Sequence, residues 1–180
     1  MKRLFVAAAA LIATVSLSAQ PRQPASPPAT ASATITGHAI SIKYSSPRVN
    51  GREGKLFGKD GLISHDPHYP VWRAGANAAT TLTTNTELKI GDLVVPAGSY
   101  TLFVDISDPD QWQLILSKKT GEWGLAYDAA QDLGRVKMKM THPTSMVENL
   151  NWSISALSGP TGQITLAWEN HSASVLFAVH

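Results

Sequence analysis

The chain has 180 residues, no cysteine and a formal net charge of +2 at neutral pH. Without thiols it makes no disulfide, no thiolate zinc site and no iron–sulfur cluster, so any chemistry rests on oxygen, imidazole or guanidinium groups. Lys2 and Arg3 account for the whole excess charge, and the other residues hold 13 basic and 13 acidic side chains, a balance that excludes nucleic acid as the expected partner.

Met1-Lys2-Arg3 is followed by an uncharged apolar run, Leu4–Leu17, and by small residues at Ser16, Ser18 and Ala19. A basic start, a short apolar stretch and a small-residue cleavage site predict a secretory signal peptide over residues 1–18. The run is too short to span a bilayer, which takes ~20 apolar residues. No transmembrane segment is expected, and the protein is expected to be exported, to the periplasm or the medium. Residues 19–32 hold Pro21, Pro24, Pro27 and Pro28 with little that is apolar, and predict an extended, poorly ordered tether.

From residue 33 to residue 180 the period is two. Ile40, Ile42 and Tyr44 alternate with polar residues, as do Tyr100, Leu102, Val104 and Ile106. Trp112, Leu114 and Leu116 keep the phase, followed by Val136, Met138 and Met140, and then by Leu150, Trp152 and Ile154. Ile164, Leu166 and Trp168 repeat it, and Val175, Phe177 and Val179 close it. Such alternation marks strands with one buried and one wetter face. On that reading Thr101, Phe103 and Asp105 face water, while Trp112, Trp152 and Trp168 belong to the core. Turn chemistry agrees at Thr36-Gly37, at Gly91-Asp92 and at Gly159-Pro160. The best helical window, Ala126–Leu133, is short. Nine to eleven strands predict one all-β domain, a single antiparallel β-sandwich (jelly-roll-like) with one long irregular loop.

That loop is Ser46–Asn77. It has no alternation, three Pro and five Gly, among scattered Arg, His and aromatic residues. Loops of this length in a compact domain are usually functional or disordered, and its Trp, Phe and Tyr argue against disorder. Arg48, Arg52 and Arg73, with Trp72 and Asn77, are the candidate ligand-binding set, because guanidinium forks grip carboxylate or phosphate at two points. Their competing role is structural: pairing with Glu53, Asp60, Asp105 or Asp132 to pin the loop. Tyr69, Trp123 and Tyr127 are further rings outside clear strands. His65, Asp66 and His68 offer two imidazoles and a carboxylate within four residues, the donor types of a catalytic zinc, although His-x-x-His outside a helix does not by itself converge both rings. Otherwise no cofactor is expected. No Gly-x-Ser-x-Gly elbow, Ser-x-x-Lys pair or phosphate-cradling glycine loop marks a nucleophile or nucleotide site.

Several runs carry a resemblance. Ser46-Pro47-Arg48, Gly51-Arg52, Leu56-Phe57-Gly58 and above all Val71-Trp72-Arg73-Ala74-Gly75-Ala76-Asn77 are followed by Ala97–Phe103, Trp112, Trp123-Gly124, Asp132 and Arg135-Val136. In this order they resemble the bacterial domain-of-unknown-function family 2911. The resemblance implies one exported β-rich domain and no assigned activity. Such sequences often carry an acid where this chain has Ala78, and their turn near His65–Pro70 is shorter and poorer in histidine.

Three functions remain open from the residues. The leading one is a non-catalytic binding module for a small envelope ligand or a protein partner. The second is a metal-assisted hydrolase using His65, Asp66 and His68. The third is a structural or scaffold module.

Overall fold

The computed structural model describes residues 24–180, and the expected signal peptide lies outside them. Among the described residues thirteen strands follow one another. In the first half they are β1 (Pro28–Ile35), β2 (His38–Ser45), β3 (Val71–Trp72), β4 (Thr81–Thr84), β5 (Leu88–Ile90), β6 (Leu93–Val95) and β7 (Gly98–Asp105). The second half holds β8 (Gln113–Ser117), β9 (Asp132–Lys137), β10 (Lys139–Thr141), β11 (Val147–Ala156), β12 (Thr161–Glu169) and β13 (His171–Val179). Among the described residues the only helical pieces are two short 3-10 turns, Leu62–His65 and Ala129–Gln131. The second is all that forms in the helical window at 126–133. None of these is long and apolar enough to cross a membrane.

The strands make two antiparallel sheets, packed as a sandwich. The first runs β1-β2-β4-β7-β8-β9, and the second β11-β12-β13-β5-β6. In each sheet a long strand shares one edge between two short partners. β7 receives β4 along Gly98–Thr101 and β3 along Val104–Asp105. β13 likewise receives β10 near its start and β5 at its end.

The turns follow from residue type. Thr36 and Gly37 link β1 to β2 at φ 49° and 87°, the paired positive values of a hairpin turn that matches strand twist. Gly91 takes φ 58° between Ile90 and Leu93, which pair as the ends of the β5–β6 hairpin.

Three expectations change. The described residues hold thirteen strands against the nine to eleven expected, because Val71–Trp72 is too short to show a period and the alternating run at 135–140 is broken into β9 and β10. β1 begins at Pro28, so residues 28–32 belong to the sheet and not to the tether. Their alternation is hidden because Ala29, Ala31 and Ala33 are the residues that meet the core. Pro28 costs no ladder bond, being the first residue of an edge strand. β7 is buried on both faces, so Phe103 and Thr101 are not on a wet side. Phe103 packs with Val71 and Ile115 beneath Tyr127 in a small second apolar cluster. The inward rows of the other strands are as their phases predict, with Ile40, Ile42, Leu82, Leu102, Leu114, Trp152, Leu166 and Phe177 in the main core.

Candidate functional site

The long irregular segment closes one end of the sandwich. Arg48 bridges to Asn149, and Val49 donates its N–H to Glu148 O at 2.8 Å, joining the segment to the start of β11. Val49 and Leu56 are fully buried. Phe57 stands at the centre of an aromatic cluster, 5.5 Å from Trp72, 5.3 Å from Trp112 and 5.9 Å from Trp168. The segment is therefore core as well as surface.

Residues 72–77 then turn sharply. Trp72 is 3% exposed and stacks on Trp168 at 5.9 Å with 13° between the planes. Ala74 and Asn77 both adopt left-handed backbone, φ 46° and 58°, a conformation that an asparagine tolerates better than an alanine. Ala74 is held there by its carbonyl, which accepts from the Trp152 indole N–H at 2.9 Å and from the Thr80 hydroxyl at 3.2 Å. Gly75 leaves room for that hydroxyl, since a Cβ at 75 would stand 2.7 Å from Thr80 Oγ1. The Asn77 carbonyl accepts from Gly124 N–H at 3.0 Å, which draws residues 122–126 alongside.

Between these segments lies a cleft of about 310 Å³. Of the candidate ligand-binding residues it brings together Arg52, Trp72 and Arg73, and of the candidate metal ligands His65 and Asp66. Leu62, Ile63 and Leu125 supply apolar wall, and Trp168 lies behind. Arg52 is braced: Nε donates to Val49 O at 2.9 Å and one terminal nitrogen to Arg48 O. Arg73 is half-buried, with its stem against Gly124, where a Cβ would meet Arg73 Cδ at 2.8 Å. Trp72 contributes a buried wall, because its ring face is already stacked on Trp168. Arg48 and Asn77 lie outside the cleft and are exposed. Arg48 lines a neighbouring hollow with Arg52 and residues 24–26.

The carboxylates named above as structural partners for these arginines are engaged elsewhere or lie apart. Arg135 takes Asp105 at 3.0 Å and Asp132 at 3.1 Å. Among the described residues no carboxylate comes within 4.0 Å of Arg48, Arg52 or Arg73. Arg135 also donates to Tyr127 Oη at 2.6 Å, while that hydroxyl donates to Asp132 at 2.9 Å. Burial first, and then the Asp132 carboxylate, push the Tyr127 pKa up to about 12. This network holds Tyr127 against the outer face of the first sheet.

His65 and His68 part company. His65 is on the cleft, whereas His68 stands edge-on to Tyr127 at 5.7 Å, and Asp66 accepts the backbone N–H of His68 at 3.0 Å. No group of three or more His, Asp or Glu residues is placed to hold a metal ion among the described residues.

Sequence reading missed Leu125, which lies about fifty residues from Arg73 and carries no pattern of its own, and it took Gly124 only as part of the resembling Trp123-Gly124 run without placing it against Arg73. Trp123 is 58% exposed beside them, and pairs through an isolated bridge with Ala78, the position where the resembling sequences often carry an acid.

No curated protein and no solved structure matches the chain. Residues 26–177, nearly the whole of the described fold, match the family described as "Protein of unknown function (DUF2911)". The chain belongs to that family.

Proposed function

We propose that this protein is an exported, non-catalytic binding protein whose cleft takes a small anion, a carboxylate or phosphate ester with a short apolar body. One observation carries the reading. Arg52 and Arg73 share one cleft with apolar walls, and neither is ion-paired among the described residues. A partly desolvated guanidinium without a counter-ion is unfavourable, and a ligand anion supplies the missing partner through charge-assisted hydrogen bonds. The volume lies at the small end of the range for ligand sites, which suits a metabolite-sized molecule. Leu62, Ile63 and Leu125 would cover its apolar part.

The test is calorimetric titration with butyrate and methyl phosphate, set against the uncharged butyramide. The anions are expected to bind at least ~10-fold tighter than the amide, about 1.4 kcal/mol, and Arg73→Gln is expected to abolish the difference. Equal binding of butyrate and butyramide would sink the reading. Support for export is the basic start and the apolar run Leu4–Leu17. N-terminal sequencing of the protein from the extracytoplasmic fraction should find a first residue just after Ser18 or Ala19, and a chain still beginning at Met1 would refute it.

A further inference from the structure

On the far side of the aromatic cluster lies a second cavity, of about 200 Å³. Its walls are Phe57, Tyr69, Ile106, Pro109, Trp112 and His171, with Lys59 and Ser107 at the rim. Four of those six wall residues carry a ring system that a planar ligand can stack against. Of the two wall residues with ring nitrogens, Trp112 can only donate, whereas His171 can offer an acceptor.

His171 is firmly placed. Its ring stacks on Trp112 at 5.4 Å with 14° between the planes, and lies 4.4 Å from Phe57. Its Nδ1 is enclosed, has no hydrogen-bond partner among the described residues and sits 3.7 Å from Glu169 Oε2. Glu169 is 2% exposed, and its other oxygen accepts the Gly54 N–H at 2.6 Å. A carboxylate beside Nδ1 selects the tautomer with the proton on that nitrogen, which leaves the lone pair on Nε2. Burial, followed by the nearby His142 ring, lowers the His171 pKa below its ordinary value, so the imidazole is neutral at neutral pH. The edge carrying Nε2 is the polar edge this ring has left to present to the cavity.

An imidazole acceptor set among mostly apolar walls is poorly served by them, because a desolvated acceptor costs free energy until a donor meets it. An apolar protein cavity of about 150 Å³ holds one benzene, so this one has room for a single ring and one small substituent. We infer that the cavity binds a one-ring aromatic alcohol, a phenol-class molecule. Its ring stacks among Phe57, Tyr69 and Trp112, and its hydroxyl donates to His171 Nε2. A carboxylate is disfavoured there, since two acceptors would face each other. This site is separate from the anion cleft and does not depend on it.

The experiment titrates the protein with phenol and with anisole, which keeps the ring and oxygen but lacks the donor. Binding is read from the Trp112 indole 1H–15N signal and the His171 imidazole 15N shifts. Phenol is expected to saturate, to move both signals, and to bind about 10-fold tighter than anisole, the factor for one hydrogen bond of ~1.4 kcal/mol. His171→Phe, which keeps the stacking, is expected to bring phenol down to the anisole level, whereas Arg73→Gln leaves phenol affinity unchanged. Equal affinity for phenol and anisole overturns the proposal, as does the absence of saturation or a response at residues away from the cavity. Should His171→Phe fail to fold, the comparison of the two ligands on the unaltered protein still decides.

Discussion

Ala74 holds a left-handed backbone that costs a β-carbon residue roughly 1–2 kcal/mol. Its buried methyl and twice-bonded carbonyl keep it there, and the reward is the placement of Arg73. Gly124 completes that placement from the other side. A Cβ at 124 would stand 2.8 Å from Arg73 Cδ and 2.9 Å from the Asn77 carbonyl oxygen. The second contact is with backbone, so the two segments would have to part. Gly124→Ala is expected to lower stability by ~1–3 kcal/mol and to weaken anion binding in the cleft. Urea unfolding and the butyrate titration check both, and an unchanged midpoint with unchanged affinity would refute the role. Tyr127 gives a pH signature. With its pKa pushed up to about 12 from an ordinary 10.0, the unfolded chain sheds its proton before the folded one does. Stability therefore falls as pH rises between those values. Burial raises the pKa of Tyr44 and Tyr100 as well, which adds to the same trend. Thermal melts above pH 10 should show the decline, and Tyr127→Phe should reduce its slope.

Among the elements, β12 and β13 meet β1 through a glycine. Gly162 pairs with Phe177, and a Cβ there would lie 2.3 Å from Phe177 Cζ and 2.5 Å from Ile35 Cδ1. Both side chains are buried and have little room to yield. Gly162→Ala is expected to cost ~1–3 kcal/mol by overpacking, and Phe177→Leu in the same chain should recover part of it in denaturant unfolding. How legible the elements were depended on side-chain size. The strands bearing Ile, Leu and Trp on alternate positions announced themselves, and their inward rows are those the phases indicate. β1 did not, because Ala and Thr give a weak contrast between faces. The outer face of β7 was misread because Phe103 is covered by Tyr127, a residue from a segment that has no period of its own. Arg52, Trp72 and Arg73 were legible by residue type. That Asp105 and Asp132 would be taken by Arg135 was not, since all three charges lie on strands or strand ends and only pairing register brings them together.

For the whole molecule, the irregular segment belongs to the same cooperative unit as the sheets. Val49, Leu56 and Phe57 are in or against the main core, and Glu169 is tied to Gly54. Heating or urea should give one transition, with far-ultraviolet circular dichroism and tryptophan emission coincident; an earlier emission change would show that the segment melts separately. The sequence showed a single β domain with its chemistry concentrated in one stretch. It could not show that this stretch seals an end of the sandwich and divides it. Phe57, Trp72, Trp112 and Trp168 form that division, with the arginine cleft on the Trp72–Trp168 side and the His171 chamber on the Phe57–Trp112 side. A shared wall makes the two sites thermodynamic neighbours. Whatever factor an occupant of the cleft imposes on affinity in the chamber, an occupant of the chamber must impose on the cleft in return.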